Sequence, residues 1–526
     1  MQLRDPVLEP HSNATDIARV SKMREVIENA RIQCGIPGMS IAVLHKGELV
    51  MSEGFGKRND KDPFTPETVM SIASLTKAFT ASAIGELVAE GKIDWDKTPV
   101  SKYLPDFELK DPLLTSQLTL VDLLSHRTPL PNIDLAAFRS TEPRRDFIKR
   151  LRHIDLDTKL SSTCNYNNIM YAVAGEAAAS VAGVSYETVV ETRILEPLGL
   201  TNTGLSPLQM KQRHPDNYAM PYDATSFENA QKGVFVKGYV DPIYMLDAPA
   251  GDIYSNVLDL AKWGRVVMKL GELDGKQVLN KESTEEILSA QTIIKRPRRS
   301  AEYAPAITYA LGWILDTYKG QVVYKHNGSN PGYRSELIMF PDADLVIAQL
   351  ANVNIAQLLT IGQYYIADEL LDLPRTQEWV PKLAVESTRT MYDFYTKENS
   401  GDYPERIKHR ASSHELESFV GTYSNPVYGE VSVSLREKEA TEGVKRKELH
   451  IQMRTLVGKL EHYHYDSFTT SMVDFVVRFE SMVSFVTGED GKISGFKMKI
   501  IETMETFEKK VTAKEEDITK GQTREE

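Results

Sequence analysis

The chain has only two cysteines, Cys34 and Cys164, among its 526 residues. Two cysteines cannot build the disulfide framework that stabilises small secreted domains, and such a composition is typical of a reducing compartment. No apolar segment follows a basic start at the N-terminus, so no secretory signal is visible. No apolar run approaches the 18 or so residues that a membrane-spanning helix needs. We therefore expect a soluble, cytoplasmic protein with no membrane partner.

Positive charge is also in deficit, because 62 Lys and Arg stand against 74 Asp and Glu, a formal net charge of −12. Nucleic acids and anionic membranes attract clustered positive charge, so neither is expected as a partner. The glycine-rich signatures of nucleotide sites are missing, so we expect no cofactor. His462 and His464 share one face of a predicted strand, but the sequence places no Asp, Glu or Cys ligand beside them, so we expect no metal. A hydrophobic fraction of 41% and a charged fraction of 26% are ordinary for a globular protein and exclude general disorder.

The length corresponds to about three typical domains, and the residue pattern changes along the chain. Residues 1–373 alternate helical periods with short strand-like runs, as α/β and α+β domains do. Residues 374–412 are charged and irregular, which predicts a linker with one or two helical turns. Apolar residues then alternate with polar ones over 413–505, which predicts a small antiparallel sheet or barrel. Residues 506–526 are almost entirely polar and predict a solvated tail.

Three helices and one hairpin can be placed from the spacing of apolar residues. Two strands joined by a Lys-Gly turn are predicted over Met39–Gly56. A helix is predicted from Ser74, with apolar residues four apart and Gly91 at its end. Further helices are expected to begin near Asn168 and after Ser255.

The strongest candidate for chemistry is the tetrad Ser74-x-x-Lys77 at the start of the first helix. Residues three apart share one helix face, so the Lys77 ammonium can reach the Ser74 hydroxyl. A lysine serves as a base only where burial or nearby positive charge lowers its pKa from about 10.4. The positive end of a helix acts in that direction and stabilises negative charge on oxygen. The alternative is a helix-capping serine followed by an exposed lysine.

A second tetrad, Ser494-x-x-Lys497, shows how weak this signal is alone. Average serine and lysine usage predicts roughly two chance matches in a chain of this length. The second copy lies in the alternating C-terminal segment, where residues three apart point to opposite faces of a strand. We therefore expect that Lys497 cannot contact Ser494.

Two further motifs follow the first tetrad, a Tyr-x-Asn at Tyr166–Asn168 and a His-x-Gly at His326–Gly328. In this order the set resembles the three-motif active site of the serine β-lactamase and penicillin-binding superfamily. Its third motif looks more like that of the D-aminopeptidases and the esterases with β-lactamase folds. Other copies, beginning at Tyr423 and His45, do not preserve the family's order and gaps.

The resemblance covers roughly Ile17 to Leu371 and includes several longer blocks. These are PGMSIAVLHKGELV, PFTPETVMSIASLTKAFTA, VDLLSHRTPLP, ILEPLGLTNTG, APAGDIYSNVLDLAKW, YALGW and NPGYRSELIMFP. One block departs from the family, because Thr128-Pro129 stands where Ser-Gly is usual. The C-terminal part is similar to the lipocalin-like β domain of some relatives. The implied fold is an α/β (α+β) β-lactamase/transpeptidase-like domain, an antiparallel sheet flanked by helices, followed by a lipocalin-like antiparallel β-barrel.

The resemblance implies a role for each residue of the first two motifs. Ser74 would be the nucleophile and Lys77 its proton acceptor. Tyr166 would act as second general base and acid, with its phenolate stabilised by the lysine cation; the alternative is a half-buried structural aromatic. Asn168 would donate to the substrate or to Lys77, and could equally be a helix N-cap.

The third motif completes the implied site. His326 replaces a lysine, so the substrate need not offer a carboxylate there; the alternative is a core histidine. The backbone N–H groups of Ser74 and Ser329 would form the oxyanion hole, the latter because it follows Gly328. His126 is interpreted as a structural loop residue.

The function implied is that of a serine hydrolase of the esterase, amidase or peptidase type. Its acyl-enzyme would form on an ester or amide of a small molecule or short peptide. Two alternatives remain open at this point, an acyltransferase of the same fold in secondary metabolism and a non-catalytic scaffold. A homo-oligomer is compatible with either.

Overall fold

The structure is a computed structural model. It describes residues 14–156, 164–240, 246–295, 306–374, 379–396, 403–439, 445–475, 477–501 and 503–510. Internal contacts divide the chain into two compact units. The first consists of Met1–Leu130 and Thr141–Lys397, and the second of Pro131–Ser140 and Glu398–Glu526.

The first unit is built on an eight-stranded antiparallel sheet in the order β3-β4-β5-β6-β7-β8-β1-β2. Its strands are β1 Gly38–His45, β2 Glu48–Gly56, β3 Thr292–Lys295, β4 Ile307–Tyr309, β5 Ile314–Tyr318, β6 Gln321–Asn330, β7 Tyr333–Phe340 and β8 Leu345–Ala351. The predicted N-terminal hairpin is confirmed, and Lys46 and Gly47 both have the positive φ that its tight turn requires. The hairpin pairs with β8, so Ala42 lies opposite Ala348.

Helices cover both faces of this sheet. Consecutive residues of its central strands are therefore buried, although their side chains point to opposite faces. In the described part of the first unit, the longer helices are α1 Ala14–Cys34, α2 Thr76–Ala89, α3 Asn168–Ala182, α4 Val257–Met268, α5 Lys281–Leu288, α6 Gln357–Leu370 and α7 Ala384–Thr396. One core cluster joins Ile347 and Ile338 to α1 and α6. On the other face Val346 and Leu337 approach Gly264 of α4. A sheet buried on both faces explains why β8 is apolar along nearly its whole length.

The predicted helix boundaries agree with local capping chemistry. Asn167 caps α3 by accepting the Met170 amide at 3.1 Å, and Gly183 ends the helix with φ 71°. Asn256 caps α4 in the same way, accepting from Asp259 N. Among the residues described, no helix is long and apolar enough to cross a membrane.

Short elements connect these helices and strands. Short helices lie at Ala73–Leu75, Val100–Tyr103, Pro112–Thr115, Leu120–Leu124, Asp134–Ala137, Arg144–Ile148, Lys149–His153, Tyr186–Val190, Glu191–Leu195, Glu196–Leu198, Pro207–Arg213, Phe227–Gln231, Ala248–Gly251, Pro341–Ala343, Trp379–Leu383 and Leu416–Phe419. Short strands lie at Met70–Ser71, Gly204–Leu205, Tyr222–Asp223, Val236–Lys237, Ile253–Ser255, Glu272–Leu273 and Lys276–Gln277. A small three-stranded sheet lies beside the start of α2 and consists of Met70–Ser71, Ile253–Ser255 and Gly204–Leu205.

The first unit continues past residue 373, where the sequence analysis ended the first domain. Within the segment interpreted as a linker, α7 is a helix of 13 residues. Ala384, Thr388 and Tyr392 of this helix are buried. Residues four apart lie on one helix face, so α7 packs as a core helix through a narrow stripe.

The second unit contains a closed antiparallel barrel of eight strands in simple chain order. Its strands are β9 Gly421–Asn425, β10 Gly429–Glu439, β11 Lys445–Met453, β12 Leu456–His464, β13 Ser467–Asp474, β14 Val477–Thr487, β15 Ile493–Ile500 and β16 Thr503–Lys509. Buried aromatic rings pack together. The ring centroids of Phe419 and Phe485 are 4.7 Å apart, and those of Phe496 and Phe507 are 4.8 Å apart. Strand β16 ends at Lys509, past the predicted domain end at 505, and its Phe507 is buried. The rest of the predicted tail, from 511 on, lies outside the described residues.

The segment Pro131–Ser140 belongs to the second unit although the first unit surrounds it in the sequence. The Arg454 guanidinium donates to the carbonyls of Leu135 at 2.8 Å, Ala136 at 2.6 Å and Phe138 at 3.2 Å. Arg139 forms an ion pair with Asp474 at 2.8 Å, and both side chains are about nine-tenths buried. Two arginines thus tie this segment to the barrel's own residues.

Candidate active site

Ser74 lies in a tight turn that runs directly into helix α2. The 3₁₀ turn Ala73–Leu75 is followed without a break by Thr76, the first residue of the helix. Ala73 has φ 49°, a left-handed conformation that costs a non-glycine residue free energy. Ser74 therefore sits at the N-terminus of a buried helix, half-exposed, with its amide in the turn where helical N–H groups have no intrahelical partner.

Strand β6 packs against this turn so closely that only glycine fits at residue 328. A Cβ on Gly328 would lie 2.1 Å from the Ile72 carbonyl oxygen and 2.2 Å from Ser335 Oγ. The Ser335 hydroxyl donates to the same Ile72 oxygen at 2.7 Å. The predicted His-x-Gly motif is thus brought to Ser74 by a backbone contact that its glycine permits.

Lys77 is fully buried and its Nζ donates three hydrogen bonds. The acceptors are Ser74 Oγ at 3.0 Å, Asn168 Oδ1 at 2.7 Å and the Ala250 carbonyl at 3.1 Å. The predicted contact between lysine and serine is therefore present. Asn168 accepts from the lysine through its Oδ1, so it is not the donor to Lys77 that was one expectation, and its donation to a substrate stays a prediction. The N-cap that was the alternative for Asn168 is formed by Asn167.

Tyr166 lies at the open side of this cluster. Its ring centroid is 4.8 Å from Lys77 Nζ, within the range of a cation–π contact. The side chain is 38% exposed, whereas the neighbouring Asn167 is buried. The structure thus places Tyr166 against the buried cation and also in reach of solvent.

His326 is buried behind the site and uses both ring nitrogens within the protein. Its Nδ1 lies 2.6 Å from the Asn327 carbonyl, which can only accept, so Nδ1 carries the proton. Its Nε2 then accepts from the Tyr309 hydroxyl at 2.9 Å. Burial and the nearby Lys77 charge lower the pKa of His326 to about 3, so the ring is neutral. These are the contacts of a buried core histidine, the alternative that the sequence left open.

The Ser329 amide, one of the two expected to hold an oxyanion, lies beside the turn between strands β6 and β7. Strands β6 and β7 are joined by a two-residue turn, with Asn330 opposite Tyr333 and Ser329 opposite Arg334. In an antiparallel ladder closed this way the first pair is hydrogen-bonded, so the N–H of the next residue points away from the partner strand. The Ser329 amide therefore points out of the sheet edge.

Sequence reasoning missed two of the three further residues in this cluster and interpreted the third, His126, only as a structural loop residue. The Ala250 carbonyl accepts from Lys77, the Tyr309 hydroxyl donates to His326, and the His126 ring lies 4.2 Å from the Tyr166 ring. Ala250 and Tyr309 fall in blocks that carried the resemblance, APAGDIYSN and YALGW, but neither residue type suggests a role alone. Cys164 has its pKa raised by burial, which keeps the thiol protonated and unreactive.

Comparison with known proteins finds one matching family model for each part of the chain. Residues 23–370 match the family described as Beta-lactamase, and residues 405–519 match the family described as Domain of unknown function (DUF3471). The chain is 28% identical over 365 residues to Unguisins hydrolase ungD' of Aspergillus campestris, across 66% of this chain and 65% of that protein. The chain thus spans less than two thirds of that relative's length.

Two solved structures share the fold. One is the octameric penicillin-binding protein homologue from Pyrococcus abyssi, at 21% identity and a TM-score of 0.57, covering 93% of this chain and all of that one. The other is a class C beta lactamase from Rhodobacter sphaeroides, at 21% identity and a TM-score of 0.53, covering 67% of this chain and 99% of that one. At such identities the likeness establishes the fold alone.

Proposed function

The chain belongs to the beta-lactamase family, and we propose that it is a serine hydrolase that forms an acyl-enzyme at Ser74. The observation that carries this proposal is the contact of 3.0 Å between Lys77 Nζ and Ser74 Oγ at a lysine with no exposed surface. A fully buried ammonium is costly unless it is paired or has a chemical task. The partners of its Nζ include a hydroxyl and two neutral oxygens.

The three contacts of Lys77 define which proton can move. The oxygens of Asn168 and Ala250 can only accept, so each requires an N–H of the lysine. The third contact is a hydroxyl, which can accept from an ammonium or donate to a neutral amine. In its neutral form Lys77 keeps two N–H groups for these oxygens and has a lone pair for the hydroxyl, so it can take the Ser74 proton as the serine oxygen attacks without losing either of its other hydrogen bonds.

Tyr166 completes the proposed reaction. As the Ser74 oxygen bonds to the carbonyl carbon of an ester or amide, the amides of Ser74 and Ser329 stabilise the oxyanion. When the carbon–oxygen or carbon–nitrogen bond of the leaving group breaks, Tyr166 gives it a proton and is reprotonated from Lys77. The exposed tyrosine ring beside the buried lysine supports this relay. Water then attacks the acyl-enzyme and releases the acid.

The proposed substrate class is an ester or amide of a small molecule or short peptide, and the proposed reaction needs no cofactor. A relative named as a hydrolase supports hydrolysis over transfer, although both share the acylation step. We also propose a lipocalin-like barrel, because its eight strands close in simple chain order. Its buried phenylalanines fill space that in an open barrel would hold a ligand.

Covalent labelling tests the proposal directly. The purified protein is treated with a fluorophosphonate, and the adduct is located by peptide mass spectrometry. We expect one adduct per chain, on Ser74, and hydrolysis of a p-nitrophenyl ester that is blocked in proportion to labelling. A folded protein that takes no label and hydrolyses no ester would refute the proposal and favour a scaffold. Faster release of p-nitrophenol with an added amine, with amide product, would instead identify an acyltransferase.

A further inference from the structure

The three residues Asn165, Tyr166 and Asn167 are held on both sides by a separate segment, His126–Leu130, which we call the bracket. The Asn165 amide donates to the His126 carbonyl at 2.7 Å, and the Asn167 amide donates to His126 Nδ1 at 3.1 Å. The side-chain amides of Asn165 and Asn167 both donate to the Leu130 carbonyl, at 2.6 and 3.2 Å. Four hydrogen bonds therefore hold the two neighbours of Tyr166.

Tyr166 itself lies outside regular secondary structure. It precedes the N-cap of α3, so the helix does not set its backbone conformation. Its side chain is 38% exposed, and its buried side lies near Lys77, Tyr309 and His326 as well as His126. On that side the His126 ring lies 4.2 Å from the tyrosine ring, tilted by 39°. The bracket thus constrains where the phenol points, together with the contact with Lys77.

His126 adopts a backbone conformation that a histidine rarely accepts. Its φ is 59°, in the left-handed region, and the residue is completely buried. This geometry allows one residue to present its carbonyl to Asn165 and its ring nitrogen to Asn167. A strained residue that persists beside a candidate active site is grounds for assigning it a task.

We propose that His126 is a positioning residue for Tyr166, fixing the phenol through hydrogen bonds to both neighbouring residues and through ring contact. This inference rests on the proposed function, in which Tyr166 transfers the proton. Because Nδ1 accepts the Asn167 amide, the neutral ring carries its proton on Nε2. Burial and the Lys77 charge lower the pKa of His126 well below its usual value, which preserves that acceptor. His126 does not touch Ser74 or take part in the proton relay.

Two substitutions of His126 test its hydrogen-bond acceptor and its ring contact with Tyr166 separately. His126→Phe keeps an aromatic ring and removes the acceptor, whereas His126→Asn removes the ring and keeps an acceptor in a residue that tolerates positive φ. Misplacing a reacting group by about 1 Å costs on the order of 100-fold in rate. We expect His126→Phe to lower kcat for a p-nitrophenyl ester by roughly 30- to 100-fold with KM little changed. We expect His126→Asn to retain more of the rate than His126→Phe.

A double-mutant cycle decides whether the effect passes through Tyr166. In a Tyr166→Phe background, His126→Phe should cause no further loss, because there is no phenol left to position. Additive losses would overturn the proposal and make His126 a general structural residue. His214→Phe is the matched control, since the His214 ring also packs edge-on against a tyrosine, Tyr254, at 5.8 Å. It should leave kcat unchanged.

Failure of this inference differs from failure of the proposed function. If Tyr166→Phe is impaired but folded His126→Phe is not, the positioning role is wrong and the serine hydrolase stands. If Tyr166→Phe keeps full activity, both the proton relay through Tyr166 and its positioning fail. Should His126→Phe not fold, Asn165→Ala removes one bond to Leu130 at a half-exposed site. It should slow acylation, and only while Tyr166 is present; any other result overturns the proposal.

Discussion

The tetrad Ser-x-x-Lys occurs once in each unit, and its two copies have different surroundings. On α2, Lys77 is fully buried with its Nζ 3.0 Å from Ser74 Oγ. On β15, Ser494 donates to the Val486 carbonyl, and both Ser494 and Lys497 are exposed. Three residues advance a strand by about 10 Å but carry a helix through almost one turn. The same tetrad therefore brings its lysine into contact with its serine only on the helix.

The strand that carries the second tetrad contains a bulge that its alternating sequence did not predict. Alternation along a strand predicted that Ser494 and Lys497 point to opposite faces. The ladder instead shifts register next to Val486, where Ser494 is an extra residue, and this bulge leaves both side chains on the outside. Separation along the strand and exposure to water, rather than opposite faces, distinguish this copy from the first.

The largest expected effect separates the two serines. Ser74→Ala should lower kcat/KM for an ester by about 10⁴-fold or more, because it removes the nucleophile on which the other groups act. Ser494→Ala removes an exposed hydroxyl and should leave turnover unchanged. Ester kinetics and a melting curve on both variants test the pair. Equal losses, or no loss in either, would contradict the assignment of Ser74.

The next effect separates the two lysines. Lys77→Met should lower kcat by roughly 10³-fold, because the proton of Ser74 loses its acceptor. Lys497→Met, on the exposed face of β15, should have no effect on kcat. Single-turnover acylation by a fluorophosphonate measures the affected step. A Lys77→Met protein that is labelled at the wild-type rate would show that another group takes the proton.

A smaller effect separates two tyrosines that both begin a Tyr-x-Asn. Tyr166→Phe should lower kcat by roughly 100-fold with little change in stability, since the ring is retained. The Tyr423 hydroxyl is buried and donates to the Phe419 carbonyl at 2.7 Å. Tyr423→Phe should therefore lower the free energy of unfolding by about 1 kcal/mol and leave kcat unchanged. Urea denaturation and ester kinetics on both variants would reveal any exchange of these roles.

The smallest effect concerns stability at low pH. The folded pKa of His326 is about 3 and its ordinary value is 6.5, so between these the unfolded chain binds a proton that the folded protein does not. Stability is then complete above pH 6.5 and falls as the pH decreases, by up to about 1.4 kcal/mol per unit for this group. His326→Gln should flatten that slope in urea titrations between pH 6.5 and 4. An unchanged slope would mean that the His326 ring has the same pKa in the folded protein as in the unfolded chain.

Much of the first unit could be predicted because its local signals agree. The Lys-Gly turn, Asn167 as a cap and Gly183 at a helix end are all readable from short spacing. The helix α7 was missed because its buried residues, Ala384, Thr388 and Tyr392, include only one that is large and apolar, and charged residues surround them. These buried residues are spaced four apart in the sequence, but the charged residues around them hid the helical period.

The candidate site was predictable where one helix turn makes the contact, as between Ser74 and Lys77. It was not predictable where the partner is a backbone atom far along the chain. The Ala250 carbonyl lies 173 residues from Lys77, and every residue type has the same carbonyl. The orientation of His326 was also hidden, because its tautomer depends on Tyr309 and on its neighbour's carbonyl. A sequence motif identifies side chains by residue type, but it does not identify which backbone carbonyl oxygen accepts a hydrogen bond from them.

The tie between Arg454 and the segment Pro131–Ser140 has a consequence for synthesis of the protein. The Leu135 carbonyl is made 319 residues before the guanidinium that binds it. At ordinary rates of translation that interval is roughly 20 to 60 seconds, long enough for the surrounding domain to begin folding. During this time the segment has to stay accessible within a chain that is already collapsing. A ribosome stalled before residue 454 should therefore leave the segment open to protease, and release of the complete chain should protect it.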